Sequence, residues 1–320
     1  MAKIYWFLGD EHFQPEELLK QAELLEDCGF DGVMVSEHLQ PWVADQGAAG
    51  FTFATLGAMA AKTSRINLMT GVTTPLFRFH PAVVAQAAAT IDRISGGRFE
   101  LGIGTGEFIN EGALSKAFPS YQERSERIME AINIISSLFQ GTKLNYDGQY
   151  YQVNNLKLYS PPLNYIPILM AVGGPKSAQI AKSSCDGIIT SVKNIQGTKD
   201  FLQLQDSPQN FRLVASSWSI YAEDNLQAWE ALGPWRGLRA PSRASSSDPQ
   251  VLQDEADQLD PEEILSKYQI VHSMSDYYDV YSPLITELKA ETVVIQTTSL
   301  NQNNTIKLFG EKVLPRLKIL

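Results

Sequence analysis

The chain has 320 residues but only two cysteines, Cys28 and Cys185, which lie far apart and form no CxxC pair. That rules out a disulfide framework and a thiol-rich metal site, and leads us to expect a reduced, cytoplasmic protein. Histidine is scarce too. His12, His38, His80 and His272 are the whole set, and no two have metal-ligand spacing, so we expect no metal. No apolar run approaches the roughly 20 residues that span a bilayer, so no membrane partner is expected. Residues 1–13 hold one lysine and a short apolar stretch before Asp10 and Glu11, unlike a signal peptide. Cations are outnumbered, 26 Lys and Arg against 36 Asp and Glu, for a net charge of -10. A chain this acidic lacks the basic face that nucleic acid requires. Neither a GxSxG elbow nor a P-loop GK[ST] is present, which turns the reading away from hydrolases and toward an organic cofactor.

What is present is alternation. Short apolar runs that read as strands recur at 3–9 (KIYWFLG), 33–36 (VMVS), 66–70 (INLMT), 98–104 (RFELGIG), 166–172, 187–191, 211–219 and 292–296. Helical spacing separates most of them, at 15–28, 51–62, from Pro81 to near Gly96, 121–139, 176–183 and 303–318. Proline at a first turn and glycine past the end support the helix that begins at Pro81. Eight strands alternating with helices predict an α/β fold with a parallel sheet, closed as a (β/α)8 TIM barrel rather than an open doubly wound sheet. Residues 143–158 read as a hairpin insertion around Asp147-Gly148. Residues 232–260, rich in Pro, Ser and Gly and carrying Arg236, Arg239 and Arg243, read as a long polar loop or lid.

In a barrel, residues just past each strand's C-terminal end build the site. Residues 36–42 (SEHLQPW) put His38 and Trp42 there. A histidine titrates near neutrality and can take a proton from a hydroxyl, and an indole supplies an apolar wall and a donor. A structural histidine satisfied by a neighbouring helix is the alternative. Residues 102–107 (GIGTGE) let a flat ring or a phosphate approach the backbone. They are no dinucleotide fingerprint, because Glu107 stands where the third glycine belongs. Glu107 itself reads either as a proton donor at the pocket mouth or as a carboxylate favoured by a helix dipole. Gly173-Gly174-Pro175 opens a helix whose free N–H groups can hold a phosphate, or else is a plain tight turn.

Together SEHLQPW (36–42), residues 70–90, GIGTGE with Asn110, YDGQYYQ (146–152) and AVGGP (171–175) resemble the bacterial-luciferase-like superfamily of oxidoreductases. Within it the chain is similar to the group of glucose-6-phosphate dehydrogenases that use the deazaflavin coenzyme F420. The resemblance implies one barrel domain over 1–320, with insertions near 143–158 and 232–260, and a homodimer acting on a small-molecule substrate. It implies that His38 takes the substrate hydroxyl proton, that Glu107 protonates the ring, that Trp42 stabilises the intermediate and that Glu11 lines the pocket. Gly71 and Val72 match a non-prolyl cis peptide behind the ring. Thr105, Gly106, Asn110, Gly173 and Gly174 match cofactor contacts.

The sugar-phosphate enzymes of that group hold the phosphate with two lysines and an arginine. Here Lys193 can fill one place, but Asp254 aligns with the second and Tyr268 with the third, and a carboxylate repels a phosphate. We therefore expect an alcohol, sugar or carbonyl substrate other than glucose 6-phosphate. Lys193 and Arg236, with Arg239 beside it, are the candidate substrate cations, the alternative for the arginines being a solvated basic loop. An FMN-dependent monooxygenase fed by a separate flavin reductase is the rival function. A flavin-storing scaffold without turnover is a third, weakened by the presence of both titratable groups.

Overall fold

The computed structural model describes residues 1–114 and 118–320. Its strands are β1 (Lys3–Leu8), β2 (Gly32–Val35), β3 (Asn67–Thr70), β4 (Phe99–Ile103), β5 (Leu144–Asp147), β6 (Gln152–Leu156), β7 (Ile168–Ala171), β8 (Gly187–Ser191), β9 (Arg212–Tyr221), β10 (Gln269–Val271) and β11 (Thr292–Ser299). Strands β1, β2, β3, β4, β7, β8, β9 and β11 pair in parallel, and the β8–β9 pairing closes the ring. The expected barrel is therefore present. Antiparallel β5 and β6 form the expected hairpin outside it. The unforeseen β10 extends the sheet beside the far end of the long β9.

Alternation along the strands sorts the side chains. Tyr5, Phe7, Met34, Met69, Leu169, Ile189, Val214 and Val294 fill the barrel interior. Their sequence neighbours, among them Ile4, Trp6, Val33, Val35 and Val293, face the helices and belong to the main outer core. The helix Pro81–Ser95 starts on proline, is capped by His80 Nδ1 accepting from the Ala82 N–H at 3.1 Å, and stops at Gly96 with φ 72°. A left-handed φ of that kind suits glycine at a helix end.

Residues 232–260 are not a polar loop. They contain the 3₁₀ turns Gly233–Arg239 and Pro241–Ala244 and the helix Pro249–Ala256. Their prolines do not break the chain but stand in the first turns of these elements, where the missing N–H is harmless. Leu232, Trp235, Ala240 and Leu252 form a separate small core with Trp42 and Ile109. The segment is thus a packed cap over one side of the barrel mouth. The helix Met274–Thr286, begun by a Ser273/Asp276 capping box, was also unforeseen. The last helix is divided into Gln302–Lys312 and Leu314–Leu317, where a single one was expected. Among the described residues no helix is long and apolar enough to cross a membrane.

Candidate active site

A cavity of about 260 Å³ opens at the C-terminal ends of β2, β3 and β4. Its walls include His38, Gly71, Val72, Thr105, Gly106, Glu107 and Asn110, seven of the residues expected there. The Gly71–Val72 peptide is cis. Thr105 and Ala171 also border a neighbouring cavity of about 470 Å³, which Gly173, Gly174, Tyr121 and Lys176 line at the start of the helix Pro175–Ser184. A Cβ at Gly173 or Gly174 would meet no atom within 4 Å, so the backbone there borders open space.

His38 is largely buried. Its Nδ1 lies 3.1 Å from the Gln40 carbonyl oxygen, an arrangement that places the proton on Nδ1 and leaves the Nε2 lone pair free in the neutral ring. Asn110 fixes this turn: its Oδ1 accepts from the Leu39 N–H at 2.8 Å. The Trp42 indole stands edge-on to the imidazole, with ring centroids 5.3 Å apart. Burial opposes protonation of His38, but the carboxylates of Glu11, Glu107 and Glu37 and the Gln40 carbonyl outweigh it and raise its pKa above the ordinary 6.5.

Glu11 is buried behind His38, with Oε1 4.0 Å from His38 Nε2. The Ser36 hydroxyl donates to its other oxygen, and the Trp235 indole N–H donates to Oε1 at 3.2 Å. The adjacent Asp10 is fully buried and accepts from the Thr52 hydroxyl at 2.9 Å. Burial, with Glu11 adding to it, pushes the Asp10 carboxyl up to about 7.

A second carboxylate cluster underlies the cavity. Arg78 binds both oxygens of Glu37, at 2.8 and 2.9 Å, and the Thr73 hydroxyl adds a third bond at 3.0 Å. Glu111 reaches the same guanidinium only at 3.6 Å, and burial pushes its carboxyl up to about 7. At the rim Glu107 is half-exposed and paired with Arg243 at 2.9 Å. That guanidinium lies over the Trp42 ring, 5.5 Å from its centroid.

Three expected residues, Arg236, Arg239 and Lys193, do not join this constellation. Arg236 is buried in the cap, locked to Asp257 at 2.6 Å and Asp45 at 2.8 Å. It is a structural cation, and it offers no free face to an anionic ligand. Arg239 likewise donates to the Tyr268 hydroxyl at 3.0 Å and stacks on that ring. Lys193 is exposed just past β8. Asp10 and Glu37 lie in the stretches that the strand-end rule marks, without a role assigned to them; sequence reasoning missed Ser36, Arg78 and Glu111 around Glu37, Arg243 as the partner of Glu107, and Trp235. Arg78 and Ser36 lie within stretches already singled out, whereas nothing local marks Trp235. Among the described residues no group of three or more His, Cys, Asp or Glu is placed to hold a metal ion.

Residues 3–275 match the family model described as luciferase-like monooxygenase. An F420-dependent glucose-6-phosphate dehydrogenase of Microbacterium testaceum is 34% identical, over 97% of this chain and 96% of its own. An F420-dependent hydroxymycolic acid dehydrogenase of Mycobacterium tuberculosis is 41% identical over a shorter stretch, 60% of this chain and 53% of its own. Among solved structures, an F420-dependent secondary alcohol dehydrogenase in complex with an F420-acetone adduct superposes with a TM-score of 0.87 at 26% identity, covering 98% of each chain.

Proposed function

This chain belongs to the luciferase-like monooxygenase family, and on that premise we propose that it is an oxidoreductase using coenzyme F420 to interconvert a hydroxyl and a carbonyl on an alcohol or sugar. The observation that carries the reading is His38: a largely buried imidazole with Nε2 free, lining a glycine-bordered cavity. The residues present fit the coenzyme. Gly71, Val72, Gly104 and Gly106 offer a wall a flat ring can approach. The bare backbone at Gly173 and Gly174, with Lys176 next to it, suits the acidic remainder of the molecule. The F420-dependent relatives span nearly the whole chain, which supports this coenzyme over FMN.

When bound, coenzyme F420 supplies a carbon that accepts or returns a hydride. The protein's share is proton handling and positioning. His38 Nε2 takes the hydroxyl proton in the oxidative direction and returns it in the reductive one. The Gln40 carbonyl holds the ring in register for that transfer, and Asn110 Oδ1 holds the Leu39–Gln40 backbone that carries this carbonyl. Glu107 stands at the rim to give or take a second proton, and Trp42 excludes water from one side of His38.

We propose that the substrate is not glucose 6-phosphate. Asp254 is engaged with Gln250 at 2.7 Å and Tyr268 lies under Arg239, so neither place holds a free cation. We further propose a homodimer; the exposed Val83 and Ile94 share one face of a helix and support it. The test is a titration of the apoprotein with coenzyme F420 and with FMN, followed by alcohol-dependent bleaching of F420 absorbance. Preference for FMN, with oxygen uptake, would move the protein to monooxygenase chemistry.

A further inference from the structure

Glu11 Oε1 is shared between two claimants. The Trp235 indole N–H donates to it at 3.2 Å, and His38 Nε2 stands 4.0 Å away, beyond hydrogen-bond reach. The other oxygen is held by the Ser36 hydroxyl, so the carboxylate is tied at both ends by groups other than His38. The Trp235 ring is itself fixed. It is buried, meets the Trp218 and His12 rings edge-on at 5.6 and 4.6 Å, and occupies the space a Cβ on Gly9 would fill, 2.7 Å from that position. It comes from the cap, 224 residues along the chain from the carboxylate it binds.

We propose that Trp235 is a positioning residue for the proposed reaction: its indole N–H holds Glu11 off His38, keeping Nε2 available to the substrate hydroxyl. The inference takes its catalytic meaning from the proposed function, but its physical content concerns the apoprotein. A carboxylate free to swing onto Nε2 would bind the imidazolium and block the atom that must accept a proton. Held at its present distance, it still favours the charged ring without occupying that atom. The other charged groups facing His38 are Glu37 on its own turn, Glu107 with Arg243 at the rim, and Asp10 beside Glu11. None of them bonds Trp235.

The test is an NMR titration of His38 in the cofactor-free full chain, comparing wild type with Trp235→Phe, which keeps most of the ring and removes the N–H. Closing the gap to a hydrogen bond should raise the His38 midpoint by about one pH unit, a roughly tenfold drop in neutral imidazole below it. In a Glu11→Gln background the same replacement should leave the midpoint in place. An unchanged or lowered midpoint in Trp235→Phe, or an equal shift without the Glu11 carboxylate, overturns the proposal. A second readout needs no replacement of Trp235: in wild type its indole N–H signal should shift with the His38 midpoint, and a flat signal is equally fatal. In the F420-loaded enzyme, Trp235→Phe should move the alkaline rise of alcohol oxidation up by the same interval. Absence of any F420 activity would remove the proposed function while leaving the titration to decide the contact.

Discussion

Glu111→Gln should make the protein more stable, and increasingly so as pH rises. Arg78 is committed to Glu37 through two short contacts, while Glu111 stands 3.6 Å from the same guanidinium with both oxygens unbonded among the described residues. One largely buried cation therefore faces two buried carboxylates. The less favoured of them is pushed by burial from 4.5 to about 7. An acid whose folded pKa is raised contributes no penalty below its unfolded pKa. Its cost then grows as pH climbs from 4.5 toward 7 and levels off above. With those two values the linkage relation gives a penalty of about 1 kcal/mol at pH 5.5 and about 3 kcal/mol at pH 8.5. The glutamine variant, which has no charge to bury, escapes it. Urea unfolding of both proteins at these two pH values should show their stability gap widening by about 2 kcal/mol toward alkaline pH. A constant gap, or one that narrows, would mean that Glu111 is ionised in the folded protein and that Arg78 satisfies both carboxylates.

Three further outcomes are expected. His38→Ala should slow F420-linked turnover roughly 10²–10⁴-fold while leaving F420 affinity, read by fluorescence, within a few-fold; lost binding with intact chemistry would make the histidine structural. Because the His38 pKa is raised, alcohol oxidation, which needs the neutral ring, should climb with pH through a midpoint above 6.5, and carbonyl reduction, which needs the imidazolium, should fall across the same window. Flat profiles in both directions would remove His38 from proton transfer. Arg236→Gln should cost about 2 kcal/mol of stability through the lost pairs to Asp45 and Asp257, and leave the affinity of anionic ligands unchanged; weakened anion binding without a change in stability would restore Arg236 to the substrate site.

The barrel was legible because its signal is local and repeated. Most of its strands, such as β2 and β4, are short apolar runs buried on both faces, and a helix such as Pro81–Ser95 carries its own start and stop residues. The first half of the site was legible for the same reason: His38, Gly71, Gly106, Glu107 and Asn110 all lie within a few residues of a strand end. The cap was misread because its cues point both ways. Pro234, Pro241 and Pro249 break a chain in one context and begin a helical turn in another, and only burial against Trp42 and Ile109 decides between them.

The arginines of the cap failed as predictors for a different reason, which concerns charge rather than conformation. In a chain with 36 acidic residues and 26 basic ones, three clustered arginines look like an anion site awaiting a ligand. The folded protein has already taken up two of those charges: Arg236 with Asp45 and Asp257, and Arg243 with Glu107. Arg239 is spent on Tyr268. The same holds beneath the cavity, where Arg78 is claimed by Glu37 and Glu111. What remains beside His38 is a surplus of carboxylate, Glu11 above all, and it is this surplus that raises the proton affinity of the imidazole. The acidic balance legible in the composition thus acts inside the site. It governs how tightly one histidine holds its proton, so changes to the ties on Glu11 should retune the reaction more sharply than changes to any cap arginine.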